Sequence, residues 1–213
     1  MKKIVNNLWR QKIFCLFTIY LRYVLGASFI YAFGWKVSDG MLNSSATPMN
    51  IANNPVWEAF ACIMQIKYWW FFSVWLQLIA GVLLVTQRFA LLGAIFFSPL
   101  ILSICLITWS IDFIGTKYIA LLMLIANSYL LIWDYKRLMP IIKYKQKFID
   151  LNRNNIQAGK LWEYGGIALA LVSLLRIVYN IFLFWFITCI LIGVAVFIFD
   201  KVGSKTTMED VKR

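Results

Sequence analysis

The hydrophobic residues fall into six runs, each long enough to cross a bilayer as a helix. The runs cover residues 13–35, 68–86, 89–109, about 113–133, 161–179 and 181–199. A membrane-spanning helix needs about 17–25 mostly apolar residues, and every run satisfies that length. The first run is too long for a signal peptide, so we expect it to stay in the protein. The pattern predicts an all-α membrane protein with six transmembrane helices.

Basic residues lie mostly on one side of these predicted helices. Of the 21 Lys and Arg residues, 16 fall in the N-terminal segment, after the second and fourth runs and in the C-terminal tail, against 3 on the opposite side. Cytoplasmic segments of membrane proteins collect Lys and Arg. The asymmetry predicts an integral protein of a bacterial-type cytoplasmic membrane with both termini in the cytoplasm.

The runs group into a set of four and a pair, separated by a basic segment. We expect a four-helix bundle over residues 1–137, a cytoplasmic linker over 138–160 and a two-helix hairpin with a short tail over 161–213. Apolar residues between the linker lysines favour an amphipathic helix on the inner leaflet, with a solvated linker as the alternative. The residues expected to contact anionic lipid headgroups are Lys136, Arg137, Lys143, Lys145 and Lys147.

The composition supports the membrane class. Hydrophobic residues make up 62% of the chain, charged residues make up 14%, and the mean hydropathy is +0.75. A soluble domain carries about 25% charged residues. The net charge of +12 would suggest a nucleic-acid partner in a soluble protein. Here the cytoplasmic bias of basic residues explains that charge, so no nucleic acid is expected.

The residue types also limit the chemistry. The chain has no histidine, and its four cysteines, Cys15, Cys62, Cys105 and Cys189, form no CxxC motif. Histidine-ligated haem, zinc or copper and histidine-based catalysis are therefore excluded, and neither haem nor a metal is expected. Cys62 and Cys105 fall on the same side of the predicted membrane, which leaves a disulfide between them open.

Polar residues near the middle of the first four runs form a candidate site. Arg22, Gln77 and Asn127 lie within about 6 Å of one depth, and Pro99 frees a backbone carbonyl near that level. Such residues are costly inside a membrane and are candidates for function. If these faces converge, the two amides and the freed carbonyl neutralise or solvate Arg22. No Asp or Glu lies at that depth in these runs, so a polar guest is expected.

Two interpretations of this polar layer stay open. In the first, it binds a quinone or a lipid through Arg22, Gln77, Asn127, Gly26 and Gly81. In the second, Arg22 and the amides form a closed hydrogen-bonded pin that fixes the register of the helices. The two glycines lie one turn after Arg22 and Gln77, so these faces can approach closely in either case.

Residues 22–36 contain an Arg-Tyr pair, a glycine one turn later, a phenylalanine, a second glycine and a final lysine. This pattern resembles the first helix of DoxX-like membrane proteins, and residues 77–84, Gln-Leu-Ile-Ala-Gly-Val-Leu-Leu, resemble their second helix. The resemblance covers about residues 10–137 and implies a four-helix membrane bundle. Some DoxX-like proteins are small subunits of quinone-linked oxidoreductases. A carboxylate is common in that family where this chain has Gln77, and this departure weakens the case for a proton relay.

Three classes of function follow from these observations. The leading hypothesis is a non-catalytic membrane subunit or accessory protein that holds a quinone or a lipid near Arg22. The second is an assembly or scaffold protein that docks a partner through its extra helices and basic segment. The third is a membrane-perturbing stress or defence effector. An enzyme is expected at most as a membrane subunit of a quinone-linked oxidoreductase, because no nucleophile–base pair is visible. The expected partners are the bilayer, its anionic headgroups, and another protein or a second copy.

Overall fold

The computed structural model describes residues 2–38, 58–59, 62–63, 65–135, 160–178 and 182–210. These residues form helices and contain no strand. The helices, numbered here in chain order, are α1 (Lys2–Ser38), α2 (Lys67–Val85), α3 (Ala90–Ser110), α4 (Thr116–Trp133), α5 (Lys160–Leu174) and α6 (Phe182–Asp210), with a short 3₁₀ turn at Leu175–Ile177.

Five helical stretches are long and apolar enough to cross a membrane. They are Ile13–Ser38, Lys67–Val85, Ala90–Ser110, Thr116–Trp133 and Phe182–Lys201. Helix α5 has 15 residues, so it is about 22 Å long at 1.5 Å per residue, against a hydrocarbon core of about 30 Å. The described residues thus confirm an all-α membrane protein with five candidate spans, and α5 is shorter than the span predicted at 161–179.

Small residues bring α1, α2 and α3 into close contact. A Cβ atom added at Gly26 would lie 2.7 Å from the carbonyl oxygen of Gly81, and one added at Gly81 would lie 2.9 Å from that of Gly26. On α3, a Cβ at Gly93 would lie 2.7 Å from the backbone nitrogen of Leu84. The predicted close approach at Gly26 and Gly81 is therefore confirmed, and the two glycines pack on each other.

Helix α4 packs mainly on α3, whereas α5 packs on α1 and α2, and α6 packs on α5. A side chain at Gly166 of α5 would overlap the carbonyl oxygen of Val85 at the end of α2. The Tyr23 hydroxyl donates to the carbonyl oxygen of the fully buried Trp162, and the Tyr20 hydroxyl donates to that of Gly193 at 2.8 Å. These contacts hold α5 and α6 directly against α1.

The described residues answer one further question and leave another untested. Cys62 is exposed and Cys105 is buried, and both are free, so they form no disulfide. The basic residues expected on the inner leaflet lie outside the described residues, and so does most of the linker at 138–160. Those residues are Lys136, Arg137, Lys143, Lys145 and Lys147.

Candidate functional site

Arg22 lies in a buried polar cluster at one end of the bundle. Its side chain is 2% exposed and that of Asp134 is 7% exposed, with 2.5 Å between Nη2 of Arg22 and Oδ2 of Asp134. Nη1 of Arg22 donates to Oε1 of Gln87 at 3.1 Å. Asp134 directly follows α4, and Gln87 lies in the turn between α2 and α3. We call this end of the bundle the Arg22 end.

The expectation that Arg22, Gln77 and Asn127 converge is wrong. The partners of Arg22 lie beyond the last residues of α2 and α4, so Arg22 is level with the ends of these helices and not with their middles. The error arises because α1 begins at Lys2 and has 37 residues. The start of its hydrophobic run at Ile13 therefore does not mark the depth at which its neighbours begin. Arg22 pairs with the carboxylate of Asp134, which lies just past the predicted run at about 113–133.

The backbone at Gln87 adopts a conformation that bulky residues rarely take. Its φ angle is 55°, in the left-handed region. The side chain is 3% exposed, accepts from Arg22, and donates through Nε2 to the carbonyl oxygen of Ile19 at 3.5 Å. Gln87 is part of the cluster through these two hydrogen bonds. They offset the cost of its left-handed backbone conformation. The sequence signal that was missed is the polar triplet 86–88 that joins two apolar runs.

Asn127 connects α4 to α3 and does not contact Arg22. Its Nδ2 donates to the carbonyl oxygen of Ala94 at 3.2 Å and to the Ser98 hydroxyl at 2.8 Å. The carbonyl freed by Pro99 is that of Ile95, the next residue along the helix. Asn127 therefore contacts the carbonyl group one residue before the one that Pro99 frees. Its hydrogen bonds link α4 to α3.

Gln77 binds Lys36, one of the three basic residues predicted on the side opposite the cytoplasm. Lys36 belongs to the last turn of α1 and is 8% exposed, and its Nζ donates to Oε1 of Gln77 at 2.5 Å. The ammonium also lies 5.2 Å from the centroid of the Trp70 ring, within the range of a cation–π interaction. We call this the Lys36 end of the bundle. Although Lys36 follows the predicted run at 13–35, it is buried because its side chain points inward along the bundle.

A cavity of about 440 Å³ lies beside Lys36 and Gln77, between the first four helices. Its walls are mostly apolar and include Phe29, Trp70, Ile104, Ala120 and Met123. Of the five residues predicted to bind a ligand, only Gln77 lines it; Arg22, Asn127, Gly26 and Gly81 do not. A volume of about 300–1,000 Å³ is typical of ligand pockets.

The position of the cavity follows from where α1 and α4 touch. Phe17 and Tyr129 pack edge to face with their ring centroids 5.6 Å apart, Thr18 and Tyr129 are hydrogen-bonded at 3.3 Å, and Arg22 pairs with Asp134. All of these contacts lie toward the Arg22 end. Toward the other end the cavity separates the helices, and its lining reaches Phe113 in the α3–α4 turn.

The polar chemistry of the cavity is dominated by donors. The hydroxyls of Ser28, Ser103 and Thr108 donate to carbonyl groups of their own helices. Within the described part of the chain, Lys36 and Gln77 make no side-chain hydrogen bond except the one that joins them. The lysine ammonium has three N–H donors and the glutamine amide nitrogen has two. A ligand with acceptor oxygens is therefore the chemical complement of this site.

The comparisons with known proteins add no relative. No protein-family model matches the sequence, and no curated protein or solved structure matches it. Among the described residues, no group of three or more Cys, Asp or Glu side chains could hold a metal ion. The class defined by the fold and the site is a helical membrane protein with a buried lysine–glutamine pair at a cavity.

Proposed function

We propose that this chain is a non-catalytic integral membrane protein that holds a quinone or a lipid in the cavity at the Lys36 end. The observation that carries the proposal is the pairing of Lys36 with Gln77 at the wall of an apolar cavity of about 440 Å³. The polar contact of the ligand is with Lys36 and Gln77, which have further N–H donors to offer. It is not with Arg22, which has protein partners.

The shape of the site supports an amphiphilic ligand taken from the membrane. Apolar walls favour a hydrocarbon or ring body, and a few convergent polar groups fix its head. Ile119, which lines the cavity, is 59% exposed, so a ligand tail can reach the bilayer past α4. A quinone carbonyl and a lipid headgroup both accept hydrogen bonds of the kind that Lys36 and Gln77 offer.

The absence of acid–base partners supports a holding role over catalysis. No Asp or Glu lines the cavity among the described residues, so no carboxylate is placed there to exchange a proton with the Lys36 ammonium. The resemblance of residues 22–36 and 77–84 to DoxX-like proteins adds the proposal that the chain serves a larger membrane complex as a subunit or accessory protein.

The proposed topology has six crossings with both termini in the cytoplasm. Helix α5 supports the sixth crossing because it runs beside α1: Trp162 contacts Tyr23, and Leu174 packs with Phe33 and Trp70 farther along the bundle. The bias of basic residues makes the Arg22 end cytoplasmic. The same bias supports contact of the segment at 134–160 with anionic lipid headgroups.

The test of this function is the content of the protein after gentle purification. Full-length protein extracted in mild detergent should retain one quinone or lipid species above its share in the source membrane, measured by mass spectrometry. Gln77→Leu should lower that enrichment because it removes the acceptor that positions Lys36. Leu122→Met, a change on the exposed face of α4, is the matched control and should leave it unchanged.

Two results would contradict the proposal. The first is a wild-type protein whose bound lipids and quinones match the composition of the source membrane. The second is a folded Gln77→Leu protein with unchanged enrichment, since the ligand would then bind elsewhere. The first comparison needs no variant, so it decides the question even if Gln77→Leu does not fold.

A further inference from the structure

Lys36 is a buried cation whose charge is incompletely matched by the described residues. The salt bridges of the described chain are Arg22–Asp134 and Lys117–Asp112, and neither involves Lys36. Its hydrogen-bond partner is a neutral amide, Gln77. Burying a charge is costly unless it is paired and hydrogen-bonded. A negative charge supplied by a ligand would remove this cost.

Two features near Lys36 stabilise its positive charge against the cost of burial. The face of the Trp70 ring, 5.2 Å from Nζ, attracts a cation through its negative quadrupole. Lys36 also lies in the last turn of α1, where the helix dipole favours positive charge. Together these features prepare a cationic site without a resident anion.

The donor count matches an acid group. One of the three ammonium N–H groups of Lys36 is used by Gln77, and the amide nitrogen of Gln77 makes no hydrogen bond among the described residues. The pair therefore offers about four donors, and an ionised carboxylate offers about four lone-pair sites. A quinone carbonyl offers one oxygen and no charge, so it would satisfy the pair less completely.

The size of the cavity restricts the hydrophobic part of the ligand. At about 440 Å³ the cavity lies within the range of about 300–1,000 Å³ that is typical of pockets for one drug-sized ligand. An acid head with one acyl chain is of that size. A lipid with two acyl chains would leave at least one chain outside the cavity.

We infer that the occupant of this cavity is a single-chain amphiphile with an anionic head, whose acid group binds Lys36 and Gln77 and whose chain lies along the apolar walls. The inference rests on the proposed function and makes its ligand class specific. A fatty acid and a monoacyl phosphate share this chemistry, and the head group separates them in the experiment.

The experiment compares acids with a neutral isostere on the delipidated, full-length protein in detergent. Radiolabelled palmitic acid is displaced by unlabelled palmitic acid, monoacylglycerol phosphate, hexadecanol or a short-chain ubiquinone. We expect at least one acid to bind at least tenfold more tightly than hexadecanol, about 1.4 kcal/mol. The stronger acid identifies whether the natural head is a carboxylate or a phosphate.

Substitutions of Lys36 separate charge from hydrogen bonding. Lys36→Met and Lys36→Gln should both reduce acid binding to the level of hexadecanol, because glutamine keeps a donor and loses the charge. Lys36→Arg should recover part of the binding, since it keeps the charge in a different geometry. Lys117→Met is the matched control: it removes a lysine at the same end of the bundle that does not line the cavity, and binding should be unchanged.

The outcomes distinguish this inference from the proposed function. Equal affinity for palmitic acid and hexadecanol, or unchanged acid binding in a folded Lys36→Gln protein, would overturn the anionic ligand. Tighter binding of the quinone than of either acid would also overturn it, while the proposed holding function would stand. No binding of any amphiphile would overturn both. The comparison of acid with alcohol uses wild-type protein, so it remains decisive if the Lys36 variants do not fold.

Discussion

Removing the negative charge of Asp134 should destabilise the bundle strongly. Asp134→Asn keeps the size of the side chain and one acceptor oxygen, but leaves the guanidinium of Arg22 without its carboxylate. Arg22 is 2% exposed and cannot lose its proton, so its charge would stay buried beside Gln87 and the new amide. The change therefore tests whether the ion pair at the Arg22 end is what makes a buried arginine tolerable.

The expected size of the effect follows from the geometry. Two opposite charges about 4 Å apart attract by about 4 kcal/mol at an effective dielectric constant of about 20. Measurements on other buried pairs give a loss of about 3–5 kcal/mol when one partner is removed. We expect Asp134→Asn to lower the free energy of unfolding by about 3 kcal/mol, because the remaining acceptor oxygen offsets part of the loss.

The double variant Arg22→Met/Asp134→Leu should be more stable than Asp134→Asn alone. Replacing both members of a buried pair by apolar residues is often neutral or stabilising, since neither charge is then desolvated. The assay is reversible unfolding in mixed micelles, in which Arg22→Met, Asp134→Leu and the double variant form one thermodynamic cycle. A loss below about 1 kcal/mol for Asp134→Asn, or additive losses in the cycle, would refute the reasoning.

Two further predictions concern packing and topology. Gly166→Ala should lower the free energy of unfolding by about 1–3 kcal/mol, because its Cβ would overlap the Val85 carbonyl oxygen. Gly193→Ala is the control and should lower it less, because the nearest atom to its Cβ would be 3.2 Å away. Equal stabilities of the two variants would contradict the packing of α5 on α2. Exposed Cys62 should react with an impermeant maleimide on intact cells, whereas Arg88→Cys in a Cys62→Ala background should react only after permeabilisation. The reverse labelling would overturn the proposed orientation.

The positions of the long apolar helices could be predicted because length and hydropathy determine them. The runs predicted at 68–86 and 89–109 correspond to Lys67–Val85 and Ala90–Ser110. The fourth helix begins at Thr116, later than the predicted residue 113, because Gly115 has a φ of 88° and interrupts the helix. Such a local conformation is not visible in a hydropathy pattern.

The partners of the polar residues could not be predicted because they depend on how far each helix extends past its neighbours. Counting residues from the start of an apolar run assigns Arg22 and Gln77 to the same depth. In the structure α1 continues beyond the ends of α2 and α4, which places Arg22 beside Asp134 and Gln77 beside Lys36. The relative shift of helices is a property of their packing, here at Gly26 and Gly81.

The two buried cations among the described residues, Arg22 and Lys36, have different surroundings, and this difference supports our proposal that a ligand binds at one end of the bundle only. Arg22 meets a carboxylate and an amide from the ends of neighbouring helices, and with them it joins α1 to α4. Lys36 lies beside a neutral amide and an aromatic ring, where an apolar cavity separates the same two helices. The contacts of α1 with α4 lie toward the Arg22 end, and the cavity lies between the two helices toward the Lys36 end. In the sequence, the pin and the ligand site are alternatives for one polar layer. We propose that they lie at different ends of the bundle, with the pin at Arg22, where a carboxylate is paired, and the ligand at Lys36, beside the cavity.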